Sequence, residues 1–345
     1  MRWDSFLYRR RFINYLLYPL SLIFTIILQL RRSIYQQGIK KAYIPEIKTI
    51  SIGNIVAGGS GKTPFTIFLA QTLSEAGYLV AVSHRGYKGK YEKTNFLLSD
   101  RERIRDRSAE VGDEALLIAH KLPGIPVIVG KNRKKSLQIL KEKFSDLDYV
   151  ILDDSFQHLK IKKDCEFVLF NTWTNIGNGF VLPAGILREG LRSLRYANCI
   201  IYNGQDEIPL QLRKRVQIII RIRYEISSLT SPDGKTIVPE SILDKKLALL
   251  SGIGQPESFE HTIKSIGLQF QKHYKFPDHH DYKDSKSLAR MIREIKSSFD
   301  YVLITEKDFT KLEKYQDNIP FIIVAIKIYT DEKQQILKII KESER

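Results

Sequence analysis

The chain has 345 residues, enough for about two domains, and its 43% apolar fraction supports a packed interior. Only two cysteines occur, Cys165 and Cys199, which argues against a disulfide framework or a cysteine-built zinc site and fits a reducing compartment. Against 39 acidic side chains stand 55 basic ones, a formal net charge of +16 that admits three partners: nucleic acid, an anionic membrane surface or a polyanionic substrate.

The first element in chain order is apolar. Phe12 to Leu30 reads FINYLLYPLSLIFTIILQL, uncharged and long enough to cross a bilayer or lie within its surface. Arg9, Arg10 and Arg11 precede it, and Arg31, Arg32, Lys40 and Lys41 follow, so flanking charge does not fix an orientation. No small-residue cleavage site accompanies it, and the segment reads as a retained membrane anchor, spanning or monotopic. A buried core helix is the competing reading. The remaining basic residues are scattered, and no zinc finger, homeodomain or RNP-type aromatic motif accompanies them, so nucleic acid is not an expected partner.

A strand over Thr49–Ile52 then runs into Gly53-Asn54-Ile55-Val56-Ala57-Gly58-Gly59-Ser60-Gly61-Lys62-Thr63-Pro64. This layout predicts a phosphate cradle. Backbone N–H groups of Gly58, Gly59, Ser60 and Gly61 would point at one anion, and the following helix start adds partial positive charge. Lys62 would reach the β- and γ-phosphates of ATP, and the Thr63 hydroxyl would hold Mg²⁺. The usual spacing wants glycine at position 56, where this chain has Val56. A plain glycine turn therefore competes with the cradle. Context favours the cradle: Thr66, Ile67, Phe68, Leu69, Leu73 and Ala76 give a helical apolar face, Pro64 suits a first turn, and Gly77 is a stop.

From about residue 47 to 225 strands alternate with helices, with strands at Tyr78–Ser83, Pro126–Val129, Tyr149–Leu152, Phe167–Phe170 and Cys199–Tyr202. Alternation of this kind predicts a parallel sheet covered on both faces, with ligands at the carboxyl ends of strands. Tyr149–Leu152 ends in Asp153-Asp154, an acid pair expected to hold Mg²⁺ beside the cradle, or else to cap the next helix. Val111-Gly112-Asp113-Glu114 reads as a helix start, with function an equal alternative. Leu182 to Glu189 is a loop with one basic and one acidic group. Val216 to Ile237 is β-rich around the turn Ser231-Pro232-Asp233-Gly234 and reads as a hairpin or hinge. A second α/β pattern follows, with strands at Lys246–Leu250, Tyr301–Ile304 and Phe321–Ala325. Within it Phe276-Pro277-Asp278-His279-His280 suits a single histidine acting as acid, base or orienter better than a metal site. The last helix, Lys333–Arg345, reads as a charged amphipathic helix that offers a solvated face.

Taken together the motifs resemble the tetraacyldisaccharide 4′-kinases of lipid A synthesis over nearly the whole chain. The residues that carry the resemblance are the apolar amino-terminal segment, SIGNIVAGGSGKTP, Arg85-Gly86-Tyr87, VGDE, Val127 to Gly130 followed by Arg133, LDDSFQH, LPAGILRE, SGIGQPESF, FPDHH and ITEKD. Ser155 and Ile186 depart from the commoner glycine and proline. The resemblance implies an Mg²⁺- and ATP-dependent kinase acting on the 4′-hydroxyl of a lipid A disaccharide 1-phosphate, at the cytoplasmic face of a Gram-negative inner membrane. It implies that Asp113 is the base, paired with His279. It further implies that Glu114, Arg133 and Arg188 line the site, with Asp153, Asp154, Thr63 and Glu189 toward the metal. The expected fold is α/β: a nucleotide-loop domain with a mostly parallel sheet and a smaller α/β domain, joined by a β-hairpin hinge. The expected segments are 1–32 (membrane-associated), 33–215 (kinase domain), 216–240 (hairpin linker) and 241–345 (carboxyl-terminal domain). A membrane-tethered ATPase switch and a nucleic-acid ATPase are the rival classes; a base for an external hydroxyl favours the kinase.

Overall fold

The structure is a computed structural model that describes residues 7–87, 89–106, 108–278, 280–282 and 285–343. The chain divides into two compact units, Met1–Arg223 with Thr330–Arg345, and Tyr224–Tyr329.

In the first unit, α1 (Phe12–Gln36) leads to β1 (Lys48–Gly53), α2 (Lys62–Glu75), β2 (Val80–His84), β3 (Phe96–Ser99), α3 (Asp113–Lys121), β4 (Val127–Val129), α4 (Arg133–Lys143), β5 (Tyr149–Leu152), β6 (Cys165–Asn171), β7 (Cys199–Asn203), the single turn α5 (Leu210–Arg213) and the start of β8 (Ile219–Thr230). The strand order is β8-β7-β6-β1-β5-β2-β4-β3. All neighbours pair in parallel except β3, which runs antiparallel to β4. Central strands are buried at nearly every position, as a sheet covered on both faces requires. β1 lies between β5 and β6, so the loop after β1 opens at the middle of the sheet edge where strand carboxyl ends collect.

The second unit holds β9 (Leu247–Ser251), α6 (Pro256–Lys264), β10 (Lys272–Lys275), α7 (Ser285–Ser298), β11 (Tyr301–Thr305), α8 (Glu306–Leu312) and β12 (Phe321–Tyr329). Its strands run in the order β10-β9-β11-β12, all parallel. The turn read at Ser231–Gly234 forms here, closed by a bridge between Thr230 and Thr236. The chain passes from one unit to the other twice, within β8 and after β12. The final helix α9 (Lys333–Glu342) packs with the first unit and buries Ile336, Ile339 and Ile340. The amphipathic helix expected here is more than a solvated face: its apolar stripe, spaced i, i+3 and i+4, is buried.

Helix α1 is inside out. Its buried residues, among those described, are Asn14, Ser21 and Arg32, whereas Phe12, Leu16, Leu20, Ile23, Ile26, Ile27 and Leu30 are exposed. Two of these polar side chains bond the backbone of the loop beneath the helix, adding to the bonds that Asn178 and the Gly185 amide make to the same carbonyls. Asn14 Nδ2 donates to the Ala184 carbonyl at 2.7 Å; Ser21 Oγ donates to Val181 at 2.7 Å and accepts from the Ala184 amide at 3.0 Å. A buried core helix would face the other way.

Gly53 sets the tightest constraint on the sheet edge. A Cβ added there would lie 2.4 Å from the Phe156 Cβ and 2.8 Å from its backbone nitrogen. Backbone cannot step aside as a side chain can, so Gly53→Ala is expected to destabilise the chain by about 1–3 kcal/mol. Urea unfolding with an unchanged midpoint would contradict this packing.

Candidate active site

The glycine loop is built by two left-handed glycines. Gly58 has φ 103° and Gly61, the residue before α2, has φ 81°. Side chains are strained in that region, which explains glycine at both positions. Val56, where the usual spacing wants glycine, instead bridges Leu187 in strand-like fashion. The Ala57 amide donates to Ile186 at 2.8 Å and the Arg188 amide to Ile55 at 2.7 Å. The 182–189 loop therefore clasps the start of the glycine loop. Asn54 Nδ2 donates to the Val56 carbonyl at 2.6 Å, and Asn171, at the end of β6, donates to the Gly59 carbonyl at 3.0 Å. Ser60 Oγ is buried and, among the described residues, has no hydrogen-bond partner. A buried hydroxyl left open in a loop of this shape suits an incoming oxyanion.

Lys62 Nζ lies 3.4 Å from Asn54 Oδ1 and 3.6 Å from Asp154 Oδ1. Arg188 Nη1 approaches the same Asp154 oxygen at 3.6 Å. Asp154 adopts φ 48°, a left-handed conformation uncommon for a residue with a Cβ though tolerated by Asp. Its side chain is 38% exposed, so it faces the open side of the cluster. Asp153 turns the other way and is only 1% exposed. Its Oδ1 accepts from Thr66 Oγ1 at 3.1 Å and from the Asp154 amide at 2.9 Å. Burial pushes the Asp153 carboxyl above its ordinary range; Glu114 and Asp154 push the same way, and His84 and Lys62 oppose them.

Two residues not assigned to the site from the sequence complete this wall. His84 ends β2, with Nε2 3.6 Å from Asp153 and 3.5 Å from Glu114. Its Nδ1 accepts from the Gly86 amide at 3.0 Å, which leaves the proton on Nε2, toward the acids. Thr66, one turn into α2, is the other. The available signal for His84 was its place at a strand carboxyl end, immediately before Arg85-Gly86-Tyr87. Arg133, at the start of α4, is buried and donates through Nη1 to Ser83 Oγ at 3.0 Å and through Nη2 to the Asp153 carbonyl. Burial lowers its guanidinium to about 10, still a cation at neutral pH. His158 is pushed down to about 4 by burial and by the cations around it, so it is neutral there.

The structure thus brings Lys62, Asp153, Asp154, Glu114, Arg133 and Arg188 around one end of the sheet. Asp113 opens α3 directly beside Glu114, at a helix start that favours acids. Glu189 differs from its expected neighbourhood: its Oε2 lies 2.8 Å from Arg32 Nη2 of α1, and the side chain is buried. His279 lies outside the described residues. Among the described residues no three His, Cys, Asp or Glu side chains converge as a metal-binding group. That suits Mg²⁺, which usually takes one or two carboxylates and completes its shell with phosphate oxygens and water. Asp153 and Asp154 at the end of β5 are of that donor type, and Thr63 lies in the first turn of α2, whose Thr66 bonds Asp153.

A buried carboxyl raised in this way carries a sign. Its folded-state pKa exceeds its unfolded one, so stability present below the unfolded value near 3.8 is lost as pH rises through the folded value. At neutral pH without nucleotide or metal, Asp153→Asn should therefore stabilise the fold, raising Tm by about 2–4 °C for each kcal/mol regained. A lower Tm for that variant at pH 7, with no increment over the native chain at any pH, contradicts the electrostatic reading.

Comparison with known proteins agrees in length as well as in motif. The family model for tetraacyldisaccharide-1-P 4′-kinase matches residues 13–344. The tetraacyldisaccharide 4′-kinase of Syntrophus aciditrophicus is 35% identical over 317 residues, covering 86% of this chain and 84% of the relative. That of Shewanella halifaxensis is 32% identical over 330 residues, covering 94% and 93%. The solved structure of an "apo" form of LpxK from Aquifex aeolicus in complex with ATP superposes with a TM-score of 0.75 at 26% identity, covering 96% of this chain and all of that one. The family model and the superposition each take in nearly the whole chain, and the chain belongs to the tetraacyldisaccharide-1-P 4′-kinase family.

Proposed function

We propose that this chain transfers the γ-phosphoryl group of ATP to the 4′-hydroxyl of a tetraacyldisaccharide 1-phosphate, a lipid A precursor, with Mg²⁺ as cofactor. The observation that carries the reading is the pairing of Lys62 with Asp154 at 3.6 Å beside a glycine loop whose Ser60 hydroxyl is unsatisfied. Phosphoryl transfer asks a protein mainly for positioning and charge neutralisation. Gly58 to Gly61 offer backbone donors to the phosphates, and Lys62 and Arg188 offer positive charge on the side where Asp154 is exposed. Thr63, Asp153 and Asp154 would hold the metal, which draws charge from the β- and γ-phosphoryl oxygens when bound. Arg133 and His84 fix the backbone and carboxylate of the strand-end acids. Asp113 accepts the proton of the sugar hydroxyl, a poor nucleophile until deprotonated. The role of His279 as its partner rests on the family motif alone. Glu189 serves the metal only through a changed pairing, since its carboxylate is engaged by Arg32.

Helix α1 supports a membrane site of action. Its apolar face is exposed, its mean hydropathy over 18 residues is 1.7, and only 11% of that window is buried. Polar anchoring at Asn14, Ser21 and Arg32 runs along most of the helix, which favours lying in the surface over crossing it. A crossing helix would draw the 181–189 backbone into hydrocarbon. The need for ATP argues for the cytoplasmic face of the inner membrane, and the basic flanks suit anionic lipid. No nucleic acid has a place in this scheme.

The direct assay is purified protein with labelled ATP, Mg²⁺ and the lipid disaccharide 1-phosphate in detergent. Label should move to lipid, and Lys62→Ala should reduce turnover by about 10²–10³-fold. Hydrolysis without transfer would favour an ATPase switch instead. A flotation experiment with anionic vesicles addresses the membrane reading: replacing Ile23 and Ile27 together by Asp should leave the protein in the pellet fraction. Continued flotation of that variant would move the anchor elsewhere.

A further inference from the structure

Arg32 is the cation that α1 turns inward. Its Nη2 lies 2.8 Å from Glu189 Oε2, and both side chains are at most 10% exposed. The guanidinium lies between two rings, 4.9 Å from the centroid of Phe156 and 4.7 Å from that of Tyr196. Two of these contacts, Phe156 and Glu189, lead toward the glycine loop. Phe156 is two residues beyond Asp154 and packs against Gly53, the last residue of β1. Glu189 follows Arg188, whose amide is held by Ile55 at 2.7 Å and whose guanidinium is 3.6 Å from Asp154. A buried ion pair is no strong source of stability, because desolvation offsets much of its attraction. What it does fix is position: among the described residues the ion pair of Glu189 is with Arg32 of the membrane-facing helix, and the buried Lys163 ammonium acts on it from farther off.

We propose that Arg32 is a positioning residue for phosphoryl transfer. By holding Glu189 it keeps Arg188 against Asp154 and beside the glycine loop, so the seating of α1 on the protein sets turnover as well as location. The helix whose outer face meets lipid is thereby part of the catalytic scaffold. The inference rests on the kinase reading above. A lost contact of this type displaces the Arg188 side chain rather than removing a phosphate ligand. Its signature is a fall in kcat with the KM for ATP little changed.

The test is a double-mutant cycle over Arg32→Gln and Glu189→Gln in the full chain, with lipid phosphorylation, vesicle flotation and near-UV circular dichroism measured on each variant. Arg32→Gln should float like the native chain, keep its KM for ATP within about twofold and lose about 10–100-fold in kcat, the scale of a small misplacement at a reacting centre. The double variant should be no worse than the poorer single variant, because the two residues act as one pair. Arg32→Lys keeps the charge but not the flat group between the rings, and should recover part of the loss. If Arg32→Gln does not fold, Arg32→Lys carries the test through the same kcat and KM readouts. Turnover within about twofold of native for the folded variant, or losses that multiply across the cycle, would overturn the proposal. So would a loss matched by the loss of folded protein. If the native chain itself transfers no phosphate to lipid in this assay, it is the kinase reading that fails.

Discussion

A carboxylate buried at the end of a central strand is the constraint on which the rest of the site depends. Asp153 is almost wholly removed from solvent, has two further acids for neighbours and is held through its backbone carbonyl by a buried arginine. Left alone, such a group favours its neutral form. Every element nearby counters that tendency: α2 supplies Lys62 and the Thr66 hydroxyl, β2 supplies His84, and α4 supplies Arg133. The arrangement is incomplete without further positive charge on the open side, where Asp154 points. A site that stores unfavourable electrostatics in its free state and relieves them on binding is the usual form of preorganisation for phosphoryl transfer.

Much of this was legible in the sequence for a simple reason. In a parallel sheet the chemistry gathers at strand carboxyl ends, so a polar group that ends an apolar run is informative. Gly53 to Lys62 after β1 and Asp153-Asp154 after β5 were found by that rule. His84 after β2 obeys it equally, yet a lone histidine beside Arg85 carries no spacing signal of its own. Val56 looked like a defect in the glycine pattern because the pattern is local. Its pairing with Leu187 is not local, and no reading of residues 50 to 63 alone could supply it. The same limit applies to Glu189. Sequence placed it beside Arg188, but its partner is 157 positions away in the first helix.

Helix α1 shows how one composition can support two opposed packings. Nineteen uncharged residues, FINYLLYPLSLIFTIILQL, favour an anchor yet leave a core helix as a competing reading. The decision lies with a few polar residues at Asn14, Ser21 and Arg32. Their spacings of 7 and 11 keep them on one face, and on that face Asn14 and Ser21 bond the 181–184 backbone while Arg32 meets Glu189. Polar groups that are buried only where they find partners, rather than apolar burial, therefore orient the helix. The apolar face is then left outward, where only lipid or another apolar surface can cover it.

The second unit supplies a useful contrast. Ser251 Oγ lies 2.8 Å from His273 Nε2, and His273 Nδ1 lies 2.8 Å from Glu260, the distances of a serine–histidine–acid relay. Yet Ser251 is fully buried, so no substrate carbonyl can approach its oxygen. Burial lowers the His273 pKa while Glu260 opposes the shift, and Glu260 is also engaged by Lys275 at 2.8 Å. Ser251 Oγ, both ring nitrogens of His273 and Oε1 of Glu260 all have partners within the unit, which makes the relay a clamp among β9, β10 and α6. The phosphate site differs on both counts: Ser60 is unsatisfied and Asp154 is exposed. Access and unspent bonding capacity, rather than the identity of the side chains, separate a reactive cluster from a structural one.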